Sequence, residues 1–430
     1  MSRAMTRRQA IQGLAALGPA AALAAPAAAA PPPSRPAAGS RPGASTRQDP
    51  IVPYDPEVLP DGVRSRFVND INGLRVHVLE AGYEGDRPAL LLLHGFPELA
   101  YSWRNVLVPL AEEGYHVFAP DMRGYGRTTG WDADYDGDLY SFRRLNVVRD
   151  ALGLVHAFGY REVDAVIGHD FGSPVAAWCA RIRPDVFRSV AMMSAPNGGV
   201  ADLPFDTADD PPAEPAEPGP TLFDDLAALP RPRKHYTRYY RTREANANMW
   251  RATQGLHAFM RGYYHYKSAD WSGNRPYRLA ARTAAEMAKM PTYYIMDLAD
   301  GMAETVAKHM PSADHIAANT WLPDDELRVY TEEYDRTGFQ GGLNHYRSGG
   351  LGAPEQQLFA GLTIDQPSIF IAGSSDWGSY QSPGNLERMQ EQACTDMRGV
   401  HMVDGAGHWV QQEQPEETAR LLIEFLRGLA

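Results

Sequence analysis

Gly168-His169-Asp170-Phe171-Gly172 follows the largely apolar run Val163 to Ile167 and precedes a helical stretch, Ser173 to Arg183. A strand that becomes a helix within five residues leaves the chain few choices. The turn has to be tight, and its flanking glycines let the strand and helix backbones approach without Cβ clashes. Its central side chain is then held out above a sheet, the place where such turns carry a nucleophile. The residue usually found there is Ser; here it is Asp. A carboxylate attacks without first losing a proton, and it suits displacement at carbon, giving an alkyl ester that water then cleaves. Asp170 is the candidate nucleophile.

Taken alone, the motif also fits a buried Asp in an ordinary strand–helix loop. Its partners favour catalysis. Asp376 ends Ala372-Gly373-Ser374-Ser375-Asp376, just past the apolar run Ser368 to Ala372. His408 lies in Gly405-Ala406-Gly407-His408-Trp409, just past Val400 to Val403. Nucleophile, acid and histidine thus follow sheet strands in the chain order of α/β hydrolases. His94-Gly95-Phe96-Pro97-Glu98 follows a further buried strand, Ala89 to Leu93. Backbone N–H groups of Phe96 and Phe171 are expected to face one point and stabilise an oxyanion there. The Phe96–Pro97 bond is a candidate for the cis form.

The rest of the chain fits an α/β class. Leu74 to Leu79 and Val117 to Ala119 read as further strands, and Leu139 to Phe158 and Pro415 to Leu429 as helices. Such alternation predicts a mostly parallel central sheet flanked by helices. The expected core is residues 64–199 and 356–430. Residues 200–355 are rich in Tyr, Met, Ala and Arg, carry no clear strand signal, and read as an inserted, largely helical cap. An acidic, Pro-rich piece lies near its start, at about 205–220.

Residues 1–30 read as an address label. Arg7-Arg8 precedes a mildly apolar run from Ile11 to about Ala30, with small residues at its end. That is the layout of a signal peptide of the twin-arginine type, so export to the periplasm or medium is expected. Gly13, Gly18 and Pro19 weaken any case for a membrane span. Residues 31–63 read as a Pro/Ala-rich linker and N-terminal arm.

The formal charge of −12 leaves no excess of Lys and Arg to displace counterions from nucleic acid. Nor does it attract an anionic membrane, and no stable span is expected after processing. The two cysteines, Cys179 and Cys394, do not resemble a metal-ligand or redox pair, and the sequence leaves their pairing open. No metal or organic cofactor is implied. Nothing in the sequence sets an oligomeric state.

The HGFPE, GHDFG and GAGHW motifs, with Asp121-Met122-Arg123-Gly124-Tyr125-Gly126, together resemble the α/β-hydrolase-fold epoxide hydrolases and the related haloalkane and haloacetate dehalogenases. The resemblance covers about residues 64–428. It implies a small-molecule epoxide substrate, opened to a diol through an ester on Asp170, with water activated by His408 and Asp376. It also implies two cap tyrosines that bind the epoxide oxygen. Thr337 to Arg347 resembles the segment carrying one of them, Tyr346. Lys234 to Tyr240 resembles the other, with Tyr236 the best match and Tyr239 or Tyr240 as alternatives.

Two departures weigh against the dehalogenases. The residue after the nucleophile is often Trp, whose N–H helps to bind halide; Phe171 has none. Haloacetate dehalogenases also carry arginines near the nucleophile, and Ser173 to Trp178 contains none. A dehalogenase remains the second enzyme reading. An esterase is disfavoured because carboxylate attack would give a reactive anhydride. A non-catalytic binding protein would have no need to keep the complete triad.

Overall fold

A computed structural model describes residues 51–200 and 220–429. The signal segment, the linker up to residue 50 and nearly all of the acidic, Pro-rich piece lie outside the described residues. Ten strands occur among those described. They are β1 (Arg64–Ile71), β2 (Leu74–Ala81), β3 (Ala89–Leu93), β4 (His116–Pro120), β5 (Ala165–His169) and β6 (Val190–Met193), then β7 (Arg233–His235), β8 (Ile295–Asp297), β9 (Ser368–Gly373) and β10 (Met397–Val403).

Eight of these form one sheet in the order β1-β2-β4-β3-β5-β6-β9-β10. β1 pairs antiparallel with β2, and β2 with β4; every later neighbour is parallel. β3 and β5 sit at the centre and are wholly buried. Each of Leu90, Leu91, Leu92 and Leu93 withdraws its side chain from water, and each contributes roughly 2 kcal/mol of transfer free energy. A strand buried on both faces reads as a continuous apolar run. Ligand sites of such sheets lie beyond the carboxyl ends of the strands, and the loops leaving β3, β5, β9 and β10 carry the four motifs.

Several elements differ from the sequence reading. β1, with the sequence RSRFVNDI, is mostly half-buried or exposed at the sheet edge, so it lacks an apolar run. β6 has only four residues. The expected helix from Leu139 splits into a 3₁₀ turn, Tyr140–Phe142, and a helix, Arg144–Ala157, because Arg143 between them is extended. Residues 51–63 run along the domain, with Tyr54, Leu59 and Val63 buried.

The insertion between β6 and β9 is mainly helical but contains the antiparallel pair β7–β8, missed because each strand has three residues. Its helices include Tyr236–Tyr239, Leu256–Lys267, Asp324–Thr337 and Gln340–Ser348. Cys179 and Cys394 are buried free thiols. Among the described residues no helix is long and apolar enough to cross a membrane.

Candidate active site

The turn after β5 holds Asp170 at φ +47°, a region that non-glycine residues seldom occupy. Such a conformation costs on the order of 1–3 kcal/mol and persists only where packing enforces it. Packing is close here. A Cβ on Gly168 would fall 2.2 Å from the Gly172 carbonyl, and one on Gly172 would fall 2.2 Å from the Leu93 carbonyl. The Asp170 N–H is fixed on the Met193 carbonyl at 3.1 Å.

The two carboxylate oxygens of Asp170 have different surroundings. Oδ1 accepts the Phe96 N–H at 2.9 Å. Oδ2 faces His408 Nε2 at 3.3 Å. On the far side of the ring, His408 Nδ1 donates to Asp376 Oδ1 at 3.0 Å, and the same oxygen accepts the Gly378 N–H at 2.7 Å. The sheet therefore brings Asp170, His408 and Asp376 into one line. Phe171 opens the following helix, with φ −63° and ψ −30°, and its N–H belongs to the first-turn donors that have no partner within a helix. The Phe96–Pro97 bond is cis.

Burial alone would raise the pKa of Asp170. The hydrogen bond and charge of His408, with the charges of Lys267 and His169, outweigh it and hold the carboxyl well below its ordinary range. Asp376 is lowered in the same way: burial is opposed by His408, the Gly378 N–H and Lys267. The Asp170 carboxyl is thus ionised at neutral pH.

Tyr236 and Tyr346 meet edge to face, ring centroids 5.9 Å apart. Burial pushes both phenols well above 10, and the charge of Asp170 adds to the shift in each. Both are neutral hydrogen-bond donors across the pH range of ordinary enzymes. The Tyr236 hydroxyl donates to Gln381 Oε1 at 3.3 Å. The alternatives differ. The Tyr240 hydroxyl is tied to the Tyr263 hydroxyl at 3.0 Å. Tyr239 lies against Lys234 and feels Glu304 and Glu244 rather than Asp170.

The family model of the α/β hydrolase fold matches residues 88–415. Epoxide hydrolase A of Mycobacterium tuberculosis is 32% identical over 377 residues, which span 86% of this chain and 99% of that protein. An epoxide hydrolase from an endophytic Streptomyces superposes with a TM-score of 0.66 at 30% identity, covering 86% of this chain and 96% of that one. The chain belongs to the α/β-hydrolase-fold epoxide hydrolase family. A potato epoxide hydrolase has a TM-score of 0.63 at 26% identity, over 85% of this chain and 99% of its own.

Beneath the reacting groups, this epoxide hydrolase family member carries a second buried couple that the motifs contain but that sequence reasoning left without a role. Glu98 Oε2 bonds His169 Nδ1 at 2.6 Å and the Gly95 N–H at 2.9 Å, while Oε1 accepts from Gln411 and Gln412. His169 Nε2 reaches the His408 carbonyl at 2.7 Å. Burial opposes ionisation of Glu98, but His169 and the Gly95 N–H hold its carboxyl below the usual value. Removing one partner of such a buried pair costs about 3–5 kcal/mol, so the couple locks the histidine loop to the nucleophile turn. Glu413 pins the same loop, accepting the N–H groups of Gly407, Trp409 and Ala269.

Lys267 gave no sequence signal. It is 4% exposed, its carbonyl accepts the His408 N–H at 2.9 Å, and its Nζ lies 5.1 Å from the ring centroids of Tyr294 and Trp409. Burial lowers its pKa, and Asp170, Asp376 and Glu98 oppose that. Its charge partly balances three buried carboxylates. The stretch after the nucleophile contains no arginine, yet the fold brings one there from another helix. The Arg144 guanidinium carbon lies 4.8 Å from the centroid of the Phe171 ring.

Proposed function

We propose that the protein hydrolyses epoxides to vicinal diols through an ester on Asp170. The observation that carries this reading is the pairing of an ionised carboxylate at a strained turn with two buried, neutral tyrosines. An epoxide oxygen stays attached to the product as it leaves carbon. It therefore needs donors that can give it a proton, and two phenols provide them. A departing halide needs only donors, and the Phe171 side chain offers none.

In this mechanism Tyr236 and Tyr346 bind the epoxide oxygen. Asp170 Oδ2 attacks a ring carbon, the C–O bond on that carbon breaks, and the oxygen takes a proton from one of the tyrosines. Oδ1 becomes the ester carbonyl oxygen, already polarised by the Phe96 N–H. His408, oriented by Asp376, removes a proton from water, which attacks the ester carbonyl carbon. The Phe96 and Phe171 N–H groups stabilise the oxyanion. As the intermediate collapses, protonated His408 gives its proton to the leaving alkoxide oxygen and the diol is freed; the carboxylic acid left on Asp170 then loses its proton, which restores the tyrosine. No step calls for a metal or organic cofactor.

Tyr346→Phe removes a donor needed only while the ring opens. It is expected to slow alkylation by roughly 10²-fold and to leave ester hydrolysis near the native rate, as read by stopped-flow fluorescence. Equal slowing of both steps contradicts the tyrosine role.

The enzyme is proposed to act outside the cytosol, on the strength of Arg7-Arg8 and the apolar run that follows. Replacing both arginines with lysine is expected to retain the full-length chain in the cytosol of a host with a twin-arginine pathway. Undiminished export of that variant contradicts the proposal.

A further inference from the structure

The loop that leaves β9 carries more than Asp376. Beyond the 3₁₀ turn Trp377–Ser379 it presents Gln381. Its backbone is fixed on both sides: the Tyr380 N–H bonds the Trp377 carbonyl, and the Asn385 N–H the Ser382 carbonyl, each at 3.0 Å. The half-buried Gln381 side chain reaches to the cap, where its Oε1 accepts the Tyr236 hydroxyl at 3.3 Å. One loop thus supplies both the acid that orients His408 and a partner of a cap tyrosine.

The other surroundings of Tyr236 are mostly aromatic. Its ring packs against those of His235, Tyr240, Tyr294 and Tyr346, at 5.1, 5.3, 5.2 and 5.9 Å between centroids. Burial raises its pKa, the charge of Asp170 adds to the shift, and no cation opposes them. Ester formation on Asp170 removes that charge and leaves the burial. A phenolate in such a place needs a hydrogen-bond donor. His235 is poorly placed to be one. Its ring lies at 28° to that of Tyr236, and its Nδ1 accepts the Thr237 N–H at 3.3 Å. Burial, with the charges of Arg282 and Arg241, lowers its pKa to about 4, so it is neutral. The Tyr346 hydroxyl also bonds Tyr236, but in the proposed mechanism the epoxide oxygen takes it up.

A carboxamide suits both states of a phenol. Its oxygen accepts from the neutral hydroxyl, its NH₂ group donates to the phenolate, and a half-turn about one bond exchanges them.

We propose that Gln381 is a positioning residue for ring opening. It accepts from Tyr236 while the phenol is neutral, and it donates to the phenolate once the proton has passed to the epoxide oxygen. The O–H bond of Tyr236 breaks as the O–H bond of the alcohol forms, and Gln381 stabilises the electron pair left on the phenolate. The assignment rests on the epoxide reading of Asp170, with Tyr236 as the proton donor.

Single turnovers of styrene oxide and of 1,2-epoxyhexane by the full enzyme, followed by rapid quench, separate alkylation of Asp170 from hydrolysis of the ester. Gln381→Leu is expected to slow alkylation by roughly 10- to 100-fold and to leave hydrolysis near the native rate. Gln381→Glu has nearly the same shape. It offers Tyr236 a stronger acceptor and no donor, so a similar loss is expected. In a Tyr236→Phe background, Gln381→Leu is expected to slow alkylation no further. A native alkylation rate in Gln381→Glu overturns the donor role. Equal slowing of both steps, or the same slowing with and without the Tyr236 hydroxyl, makes Gln381 a structural residue and overturns the proposal. Native-rate alkylation by Tyr236→Phe removes Tyr236 from the step, and Gln381 with it. If Gln381→Leu fails to fold, the glutamate variant decides. Turnover of neither epoxide by the native enzyme rejects the epoxide reading itself, and this assignment with it.

Discussion

Asp170→Ala is expected to abolish diol formation, with kcat reduced by roughly 10⁴-fold or more. The loss follows from the division of labour between the two oxygens. In the proposed mechanism Oδ2, which faces His408, supplies the bond to carbon, and Oδ1, which lies at the Phe96 N–H, becomes the carbonyl oxygen. Alanine has neither, and no other carboxylate is placed to replace them. Asp376 is turned to His408 Nδ1 and the Gly378 N–H, and Glu98 is closed in by His169, Gly95, Gln411 and Gln412. A positive φ suits Ala less well than Asp, at a cost of about 1–2 kcal/mol, so near-ultraviolet dichroism has to accompany the kinetics. A folded variant with substantial diol formation would mean that His408 drives direct attack of water on the epoxide.

His408→Gln is expected to divide the reaction at its midpoint. In the proposed mechanism ring opening uses Asp170 and the tyrosines, none of which is altered. Hydrolysis of the ester needs a base beside the carbonyl carbon, and glutamine is not one. The variant should therefore consume about one equivalent of epoxide rapidly, then turn over roughly 10²- to 10⁴-fold more slowly than native enzyme, the range lost with a general base. Rapid-quench assay of epoxide against diol reads both phases. Slow consumption with no initial burst would place His408 in the ring-opening step and contradict the sequence of events proposed here.

The parts of this site legible in the sequence share a physical cause. Buried parallel strands must be apolar along their length, and the tight turns at their ends need glycine, so β3, β5, β9 and β10 mark the positions of Phe96, Asp170, Asp376 and His408 without tertiary information. Edge strand β1 mixes charged, polar and apolar residues with neither an apolar run nor a strict alternation and was missed, and the three-residue pair β7–β8 is too short for any periodicity. The preference proposed for Tyr236 over Tyr239 and Tyr240 rests on contacts that the sequence does not show: Tyr240 shares its hydroxyl hydrogen bond with Tyr263, and Tyr239 faces Lys234. Lys267 and Arg144 show the same limit. Each is one basic residue among many in the sequence, and each gains meaning from rings and carboxylates brought to it by distant segments. The absence of arginine between Ser173 and Trp178 was a true statement about the chain and an incomplete one about the space around Phe171.

The central claim is that the new oxygen of the diol comes from Asp170 and not directly from water. A single turnover with enzyme in excess, run in oxygen-18 water, tests it most directly. Mass spectrometry of the diol and of the peptide containing Asp170 then locates the label. Unlabelled diol and a labelled Asp170 carboxylate are the predicted result, because water attacks the ester carbonyl carbon and leaves its oxygen on the enzyme. Labelled diol from the first turnover, with an unlabelled Asp170, would contradict the ester mechanism.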